Sequence, residues 1–447
     1  MTFRGSFDHL LKTTADLLRS AGAREESYAE FFLTMLCLKF APKFNLIQDS
    51  FLEPPFDRNI SQREHIANSI NGLTEIHPGL SVVFEDGRGL KEIDDELLNR
   101  ILFIWNHFFE QNDRGLNWSP ATVDLCFEAI TEILIRNTRL PHLISTPVEI
   151  VYLMRSLIDI EGKHSIYDPY CRSGQFLNSA IDSLGEGANG AGEARDNLSL
   201  KISKARNFLL AHDNISIEFR SPDEIQQRSE NFDIILTNPP FGVFANQRKA
   251  DLRHFSAKFK TNRLEVSYLT HVLDHLSESG QAGIIVPDGL LTNAAIVQEL
   301  RKEIVERNML DAVVHLPARI FYETGVSCSI LLLNRKRAFE NVLLIDLSSD
   351  GVKERDRHVL PDAIVRTAVS SVKEFRKSRG ASKGEQHSIC VSPSEFASND
   401  YSFRFARYQP QLLQLDNTSI SSEKLWKECI EIEAKLISIR NEYKSII

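Results

Sequence analysis

Asn238-Pro239-Pro240-Phe241 carries the most specific chemistry in this chain. Proline has no backbone N–H and pushes the residue before it into an extended conformation, so two successive prolines hold Asn238 and Pro239 extended. The Asn238 side-chain oxygen and the Pro239 carbonyl can then converge on one planar amino group. Accepting both of its hydrogens concentrates the nitrogen lone pair and makes that nitrogen a nucleophile, while Phe241 offers an apolar face on which a base can stack. The plain alternative is a turn that happens to carry these residues. Their place directly after the apolar run 232–236 favours a site, because open α/β sheets bind ligands at the carboxyl ends of their strands.

Upstream, Asp168-Pro169-Tyr170-Cys171-Arg172-Ser173-Gly174-Gln175-Phe176-Leu177 reads as a strand-turn-helix junction. Gly174 allows close backbone approach at a helix start, where free N–H groups meet a carboxylate or water. Glu193, 25 residues after Asp168, falls at the end of a second strand, where an acid can accept from ribose hydroxyls. Either acid alone is as readily a surface or capping carboxylate. In the order Asp168, Glu193, Asn238 they outline a nucleoside site beside an amino-group site. After the active-site loop, residues 248–263 hold six basic side chains, Arg248, Lys249, Arg253, Lys258, Lys260 and Arg263, against one acid, Asp251, interleaved with Phe255 and Phe259. A solvated loop would look like this; so would a grip on phosphates beside an extruded base.

The elements that must position these groups begin at about residue 146. Strands are expected at 164–168, 190–193, 216–219, 232–237, 282–286, 312–316 and 328–333, and helices at about 175–184, up to 211, 265–278 and 295–307. Such rotation means an α/β fold with a mostly parallel sheet covered on both faces. Residues 1–140 are helix-patterned, with breaks expected at Pro54-Pro55 and Asn71-Gly72, and with Trp105, Phe108 and Phe109 read as core. Beyond Ile345 the chain is polar and mixed, and residues 373–384 look like a loop or linker. Leu425, Cys429, Ile432, Leu436, Ile439, Tyr443 and Ile446 then form a heptad seam, which suits a partner helix better than the wider stripe of a helix packed on its own domain.

The 447 residues are enough for two or three domains, and 42% hydrophobic with 25% charged residues matches a globular chain. No apolar run approaches the ~20 residues of a membrane span, and the first residues lack a signal-peptide pattern, so a cytoplasmic location is expected. Six cysteines without CxxC or Cys/His clustering argue against a metal site or a disulfide framework. A net charge of −9 disfavours unaided nucleic-acid binding, so contacts must be local or supplied by a partner.

With these residues in view, the chain resembles the N6-adenine DNA methyltransferases, specifically the modification subunits of type I restriction-modification systems. The resemblance rests on Thr146-Pro147, the loop Asp168 to Leu177, Gly192-Glu193, Asn238 to Phe241, Ile285-Val286-Pro287-Asp288-Gly289-Leu290-Leu291 and Leu316-Pro317-Ala318-Arg319-Ile320-Phe321-Tyr322-Glu323-Thr324-Gly325. It implies a Rossmann-like S-adenosylmethionine-dependent methyltransferase domain at 141–408, between a helical domain at 1–140 and a helical partner-docking tail at 409–447. Thr146, Pro147, Asp168, Ser173, Gly174, Phe176, Glu193 and Asp223 would bind S-adenosylmethionine, and Asn238, Pro239, Pro240 and Phe241 would serve the adenine. DNA, a specificity subunit and, in the wider system, a restriction subunit are the implied partners. Two positions depart from the pattern: Arg172 stands where the family has glycine, and Arg220-Ser221-Pro222 stands where it has an acid, with Asp223 the nearest candidate. The alternatives are a non-catalytic DNA-clamping or assembly subunit of the same fold, and an RNA or protein amine methyltransferase.

Overall fold

The computed structural model describes residues 3–41, 60–84, 88–113, 119–138, 146–221, 225, 228–244, 254–259, 261–292, 295–321, 325–354, 357–381 and 387–409. Its centre is a nine-stranded sheet built from β1 (Ser165–Asp168), β2 (Asn189–Ala194), β3 (Ile215–Phe219), β4 (Phe232–Thr237), β5 (Leu276–Pro287), β6 (Leu310–His315), β7 (Cys328–Asn334), β8 (Val342–Asp346) and β11 (Ser388–Val391). A separate hairpin joins β9 (Val352–Glu354) and β10 (Arg357–Val359). The order across the sheet is β11-β8-β6-β7-β5-β4-β1-β2-β3.

The strands from β3 to β5 pair in parallel, as the alternation of strand and helix predicts. The order reverses at β1, between β2 and β4, which opens a crevice at the carboxyl ends of these strands. β7 departs from the rotation. It runs antiparallel between β5 and β6, because the chain after β6 turns back without a crossover helix among the described residues.

Two apolar clusters hold the described residues. One lies around the sheet and the helices Val148–Leu157, Gln175–Ile181 and Asp362–Lys377. The other gathers the helices Phe3–Ser20, Glu25–Phe40, Gln62–Ile76, Asp95–Asp113 and Pro120–Thr138 against Asn197–Leu209, the helix between β2 and β3. Trp105 and Phe109 are fully buried there, and the Trp105 indole donates to Thr14 Oγ1 at 2.9 Å. The described residues through Phe405 form one compact unit. No helix among them is long and apolar enough to cross a membrane.

Three expectations are corrected. Asn71-Gly72 does not break the chain but lies inside Gln62–Ile76, where burial of Ile66, Ser69 and Leu73 outweighs the ~1 kcal/mol that glycine costs a helix. The polar stretch beyond Ile345 contains β9, β10, β11 and two helices, Asp362–Lys377 and Pro393–Ser398. Residues 373–377 belong to the first of these rather than to a linker, since Val365, Ala368, Val372 and Phe375 fix one face of it in the core. Pro54-Pro55 and the heptad seam at 425–446 lie outside the described residues.

Candidate active site

β1 and β4 are neighbours in the sheet, so the loops that leave their carboxyl ends are adjacent. Asn238 follows β4 directly and is 2% exposed. Its Nδ2 donates to Thr146 Oγ1 at 3.0 Å, while its Oδ1 is buried with no hydrogen-bond partner. An unmet buried acceptor costs about 1–3 kcal/mol, which a donating ligand would recover. The half-buried Phe241 meets Phe321 edge to face at 6.3 Å between centroids. Val243 and Phe244, further along this loop, are 45% and 66% exposed.

The loop after β1 is tied to the end of β2 by the Cys171 amide, which donates to the Glu193 carbonyl at 3.0 Å. Two residues in it take the left-handed backbone region, Gly174 at φ +71° and Arg172 at φ +44°. Gly174 caps the helix Gln175–Ile181, whereas Arg172 adopts a conformation better suited to glycine and lays its guanidinium over the Tyr170 ring at 5.0 Å. Ser173 is 5% exposed and its Oγ is buried without a partner. Asp168 is 1% exposed and accepts from the Tyr170 amide at 3.0 Å. Burial pushes its carboxyl up to about 7, against the opposing pull of that amide and of Arg172.

Glu193 sits at the end of β2 as expected, but its carboxylate faces inward with no exposed surface. It accepts from the Tyr167 hydroxyl at 2.8 Å, pairs with Arg195 at 2.5 Å and with Arg228 at 3.4 Å. Two arginines and a phenol therefore occupy the oxygens expected to face a ribose. Phe176 is likewise turned into the core, at 3% exposure, because it lies on the buried face of its helix. Asp223 lies outside the described residues.

Sequence reasoning missed Arg195. Its guanidinium donates to the carbonyls of Pro169, at 3.0 Å, and Ser221, at 3.0 Å, besides pairing with Glu193. One buried side chain thus fastens the chain that leaves β1, β2 and β3. The only signal in the sequence is the Glu193-x-Arg195 spacing, which in extended chain puts both side chains on the same side.

The basic segment is only partly visible. Lys258 pairs with Glu303, and Arg263 with Glu265 at 2.7 Å, so both already have carboxylate partners. Phe255 and Phe259 are each 4% exposed and pack inward rather than toward a ligand. Arg248, Lys249, Arg253 and Lys260 lie outside the described residues. The end of the segment does touch the active-site loop: the Leu264 amide donates to the Val243 carbonyl at 3.0 Å, and Phe244 bridges to Arg263.

Comparison with known proteins matches residues 144–416 to the family described as N-6 DNA Methylase. Among curated proteins, the MjaIX methylase subunit of a type I restriction enzyme from Methanocaldococcus jannaschii is 24% identical over 328 residues, covering 68% of this chain and 58% of that one. The EcoEI methylase subunit from Escherichia coli is 26% identical over 225 residues, covering 46% of each. The chain spans about half the length of these relatives. Among solved structures, the methyltransferase subunit of a type I restriction-modification system from Streptococcus thermophilus is 19% identical with a TM-score of 0.63, covering 90% of this chain and 99% of that one. At that identity the likeness establishes a shared fold.

Proposed function

The chain belongs to the N-6 DNA methylase family, and from that premise we propose that it methylates adenine N6 in DNA as the modification subunit of a type I restriction-modification system. The observation that carries the proposal is the buried, unpartnered Asn238 Oδ1, which the Pro239 carbonyl follows in the chain. These two oxygens accept the hydrogens of an exocyclic amine and hold its nitrogen ready to attack. Adenine inside a duplex hides that amine, so the base must be extruded, with Phe241 as the ring on which it stacks.

S-adenosylmethionine, when bound, supplies an electrophilic methyl group. The orphaned Ser173 Oγ and the buried Asp168 suit a polar, cationic ligand. In this reading Thr146, Pro147, Asp168, Ser173 and Gly174 surround the cofactor. Glu193 takes ribose hydroxyls by releasing Arg228, its longest contact. Catalysis then rests on placement and hydrogen bonding.

The division at 1–140, 141–408 and 409–447 belongs to the same proposal. So does docking of a specificity subunit on residues 425–446, with 248–263 holding phosphates. A chain of charge −9 with no evident base-reading segment needs such a partner for sequence recognition. Truncation at Ser421 should leave cofactor binding intact and abolish co-purification with that subunit.

The direct test is transfer of labelled methyl groups to DNA, RNA and protein by the chain with and without its specificity subunit. Transfer confined to DNA, at adenine, and lost in Asn238→Ala is the expected result; transfer to RNA or protein alone overturns it. A second reading, a non-catalytic subunit of the same fold, is favoured by Arg172 in a left-handed conformation and by the inward carboxylate of Glu193. Titration of labelled S-adenosylmethionine separates the two, because only a competent site saturates.

A further inference from the structure

We infer that Arg319 is a DNA contact whose guanidinium takes a backbone phosphate beside the extruded adenine. The inference rests on the adenine reading and adds to the segment 248–263 a contact from a different loop. In that segment Lys258 and Arg263 are already paired, with Glu303 and Glu265. Arg319 is exposed and has no carboxylate partner among the described residues. It belongs to the loop that leaves the carboxyl end of β6, and Phe321, two residues on, meets Phe241 at 6.3 Å between centroids. Two residues span at most ~7 Å, so the Arg319 backbone lies within that reach of the Phe321 backbone.

The backbone of Arg319 is held where an arginine is unfavourable. Its φ of +59° lies in the left-handed region, in which a Cβ crowds the following carbonyl oxygen. The β9–β10 hairpin fixes it there: the His358 amide donates to the Arg319 carbonyl at 2.9 Å, and His358 Nδ1 donates to the Ala318 carbonyl at 2.6 Å. Gly351, just before β9, packs so closely on the same loop that a Cβ built on it would stand 2.7 Å from Pro317 Cβ. Glycine or asparagine would adopt this turn at less cost, so the turn itself does not call for arginine. What arginine adds is a cationic fork that can donate two hydrogen bonds to one phosphate, carried on a loop already braced before DNA arrives. In a chain of charge −9, a cation fixed beside the site also draws the DNA backbone to the place where the base must turn out.

The test compares wild type, Arg319→Gly, Arg319→Gln and Arg319→Lys, each assembled with the specificity subunit on duplex DNA carrying its site. Glycine keeps the left-handed turn and removes only the side chain, so a loss of binding without a loss of melting temperature isolates the guanidinium; glutamine carries the same comparison if the glycine variant does not fold. Losing one phosphate contact lowers the slope of log Kd against log salt by about 0.9, so between about 50 and 200 mM salt the wild-type Kd should rise about 3.5-fold more than that of the Gly and Gln variants. Lys should keep the wild-type slope, and Kd for S-adenosylhomocysteine should stay within about threefold for every variant. A second arm replaces each phosphate flanking the target adenosine, in turn, by an uncharged methylphosphonate: at one of the two, wild type should weaken while the glycine variant loses nothing further. A wild-type salt slope in both Gly and Gln overturns the inference and leaves the adenine reading intact. Losses that add at both flanking phosphates put the guanidinium elsewhere on the DNA and also overturn it alone. A wild-type complex that binds its site but methylates no adenine overturns the adenine reading and this inference with it.

Discussion

Asp168 is the group in the site whose charge responds most to pH near neutrality. Its folded pKa of about 7 stands above the ordinary 3.8, with burial as the main cause. Between those values the native state holds a proton that the unfolded chain has released, so stability is greatest below 3.8 and declines as pH rises through 7. Denaturation midpoints of wild type and Asp168→Asn across pH 4 to 8 should converge toward acid and separate toward base, with the asparagine variant the more stable there. Parallel curves would contradict the assignment. At Arg172 three effects compete. Removing the Cβ relieves about 1–2 kcal/mol of left-handed strain, whereas glycine loosens the unfolded chain by about 0.5–1 kcal/mol and forfeits the contact with Tyr170, about 0.5–1 kcal/mol. Arg172→Gly should therefore melt within about 2 °C of wild type while binding S-adenosylhomocysteine as tightly or more so. A tenfold loss of affinity would show that the guanidinium holds the ligand. Asn238 was legible in the sequence because proline acts on its immediate neighbour. The bond that Asn238 donates to Thr146 and the Arg228 contact to Glu193 were not, since their partners lie 92 and 35 residues away.

At the scale of elements, β2 is held against its surroundings with no slack. A Cβ built on Gly192 would stand 2.7 Å from both Leu177 Cδ1 and Ile217 Cδ1, and 3.1 Å from Cys171 Cβ. The first and last of these belong to the helix and loop that follow β1, so the glycine sets how closely that loop rides on the sheet. Gly192→Ala should lose about 1–3 kcal/mol of stability by overpacking and weaken cofactor binding through displacement of residues 171–177. Urea denaturation and calorimetry read the two effects, and a variant as stable as wild type would refute the packing argument. Most of the strands from β1 to β7 were legible as short apolar runs between turn signals, whereas β2, Asn-Gly-Ala-Gly-Glu-Ala, has no such run and was placed by its position between two helices. β5 begins six residues before the expected 282, since Ser277, Glu278 and Ser279 interrupt its apolar pattern. Asp362–Lys377 escaped notice for the opposite reason: its four buried residues are scattered among lysines, arginines and serines, and only the 3.6-residue period unites them.

Across the whole molecule, the N-terminal helices and the sheet meet on one helix, Asn197–Leu209. Ile202, Ala205, Phe208 and Leu209 belong to the apolar cluster of the N-terminal helices. From the same helix Arg206, with no exposed surface, pairs with Asp124 and lies over Phe127 at 4.5 Å. The two halves of this ion pair differ, because the Asp124 side chain is 35% exposed and can hydrate alone, whereas Arg206 cannot. Asp124→Ala should thus lose about 3 kcal/mol, and Arg206→Met appreciably less. Chemical denaturation of both variants checks the order, and the reverse order would place the loss in packing rather than in charge.

That shared helix also bears on how the chain is made. Residues 3–138 leave the ribosome well before Asn197–Leu209 is synthesised, and until then the apolar wall that this helix completes faces water. The nascent segment is in that interval a client for whatever shields exposed apolar surface in the cell, and a pause in translation between about residues 140 and 210 would lengthen its exposure to aggregation and proteolysis.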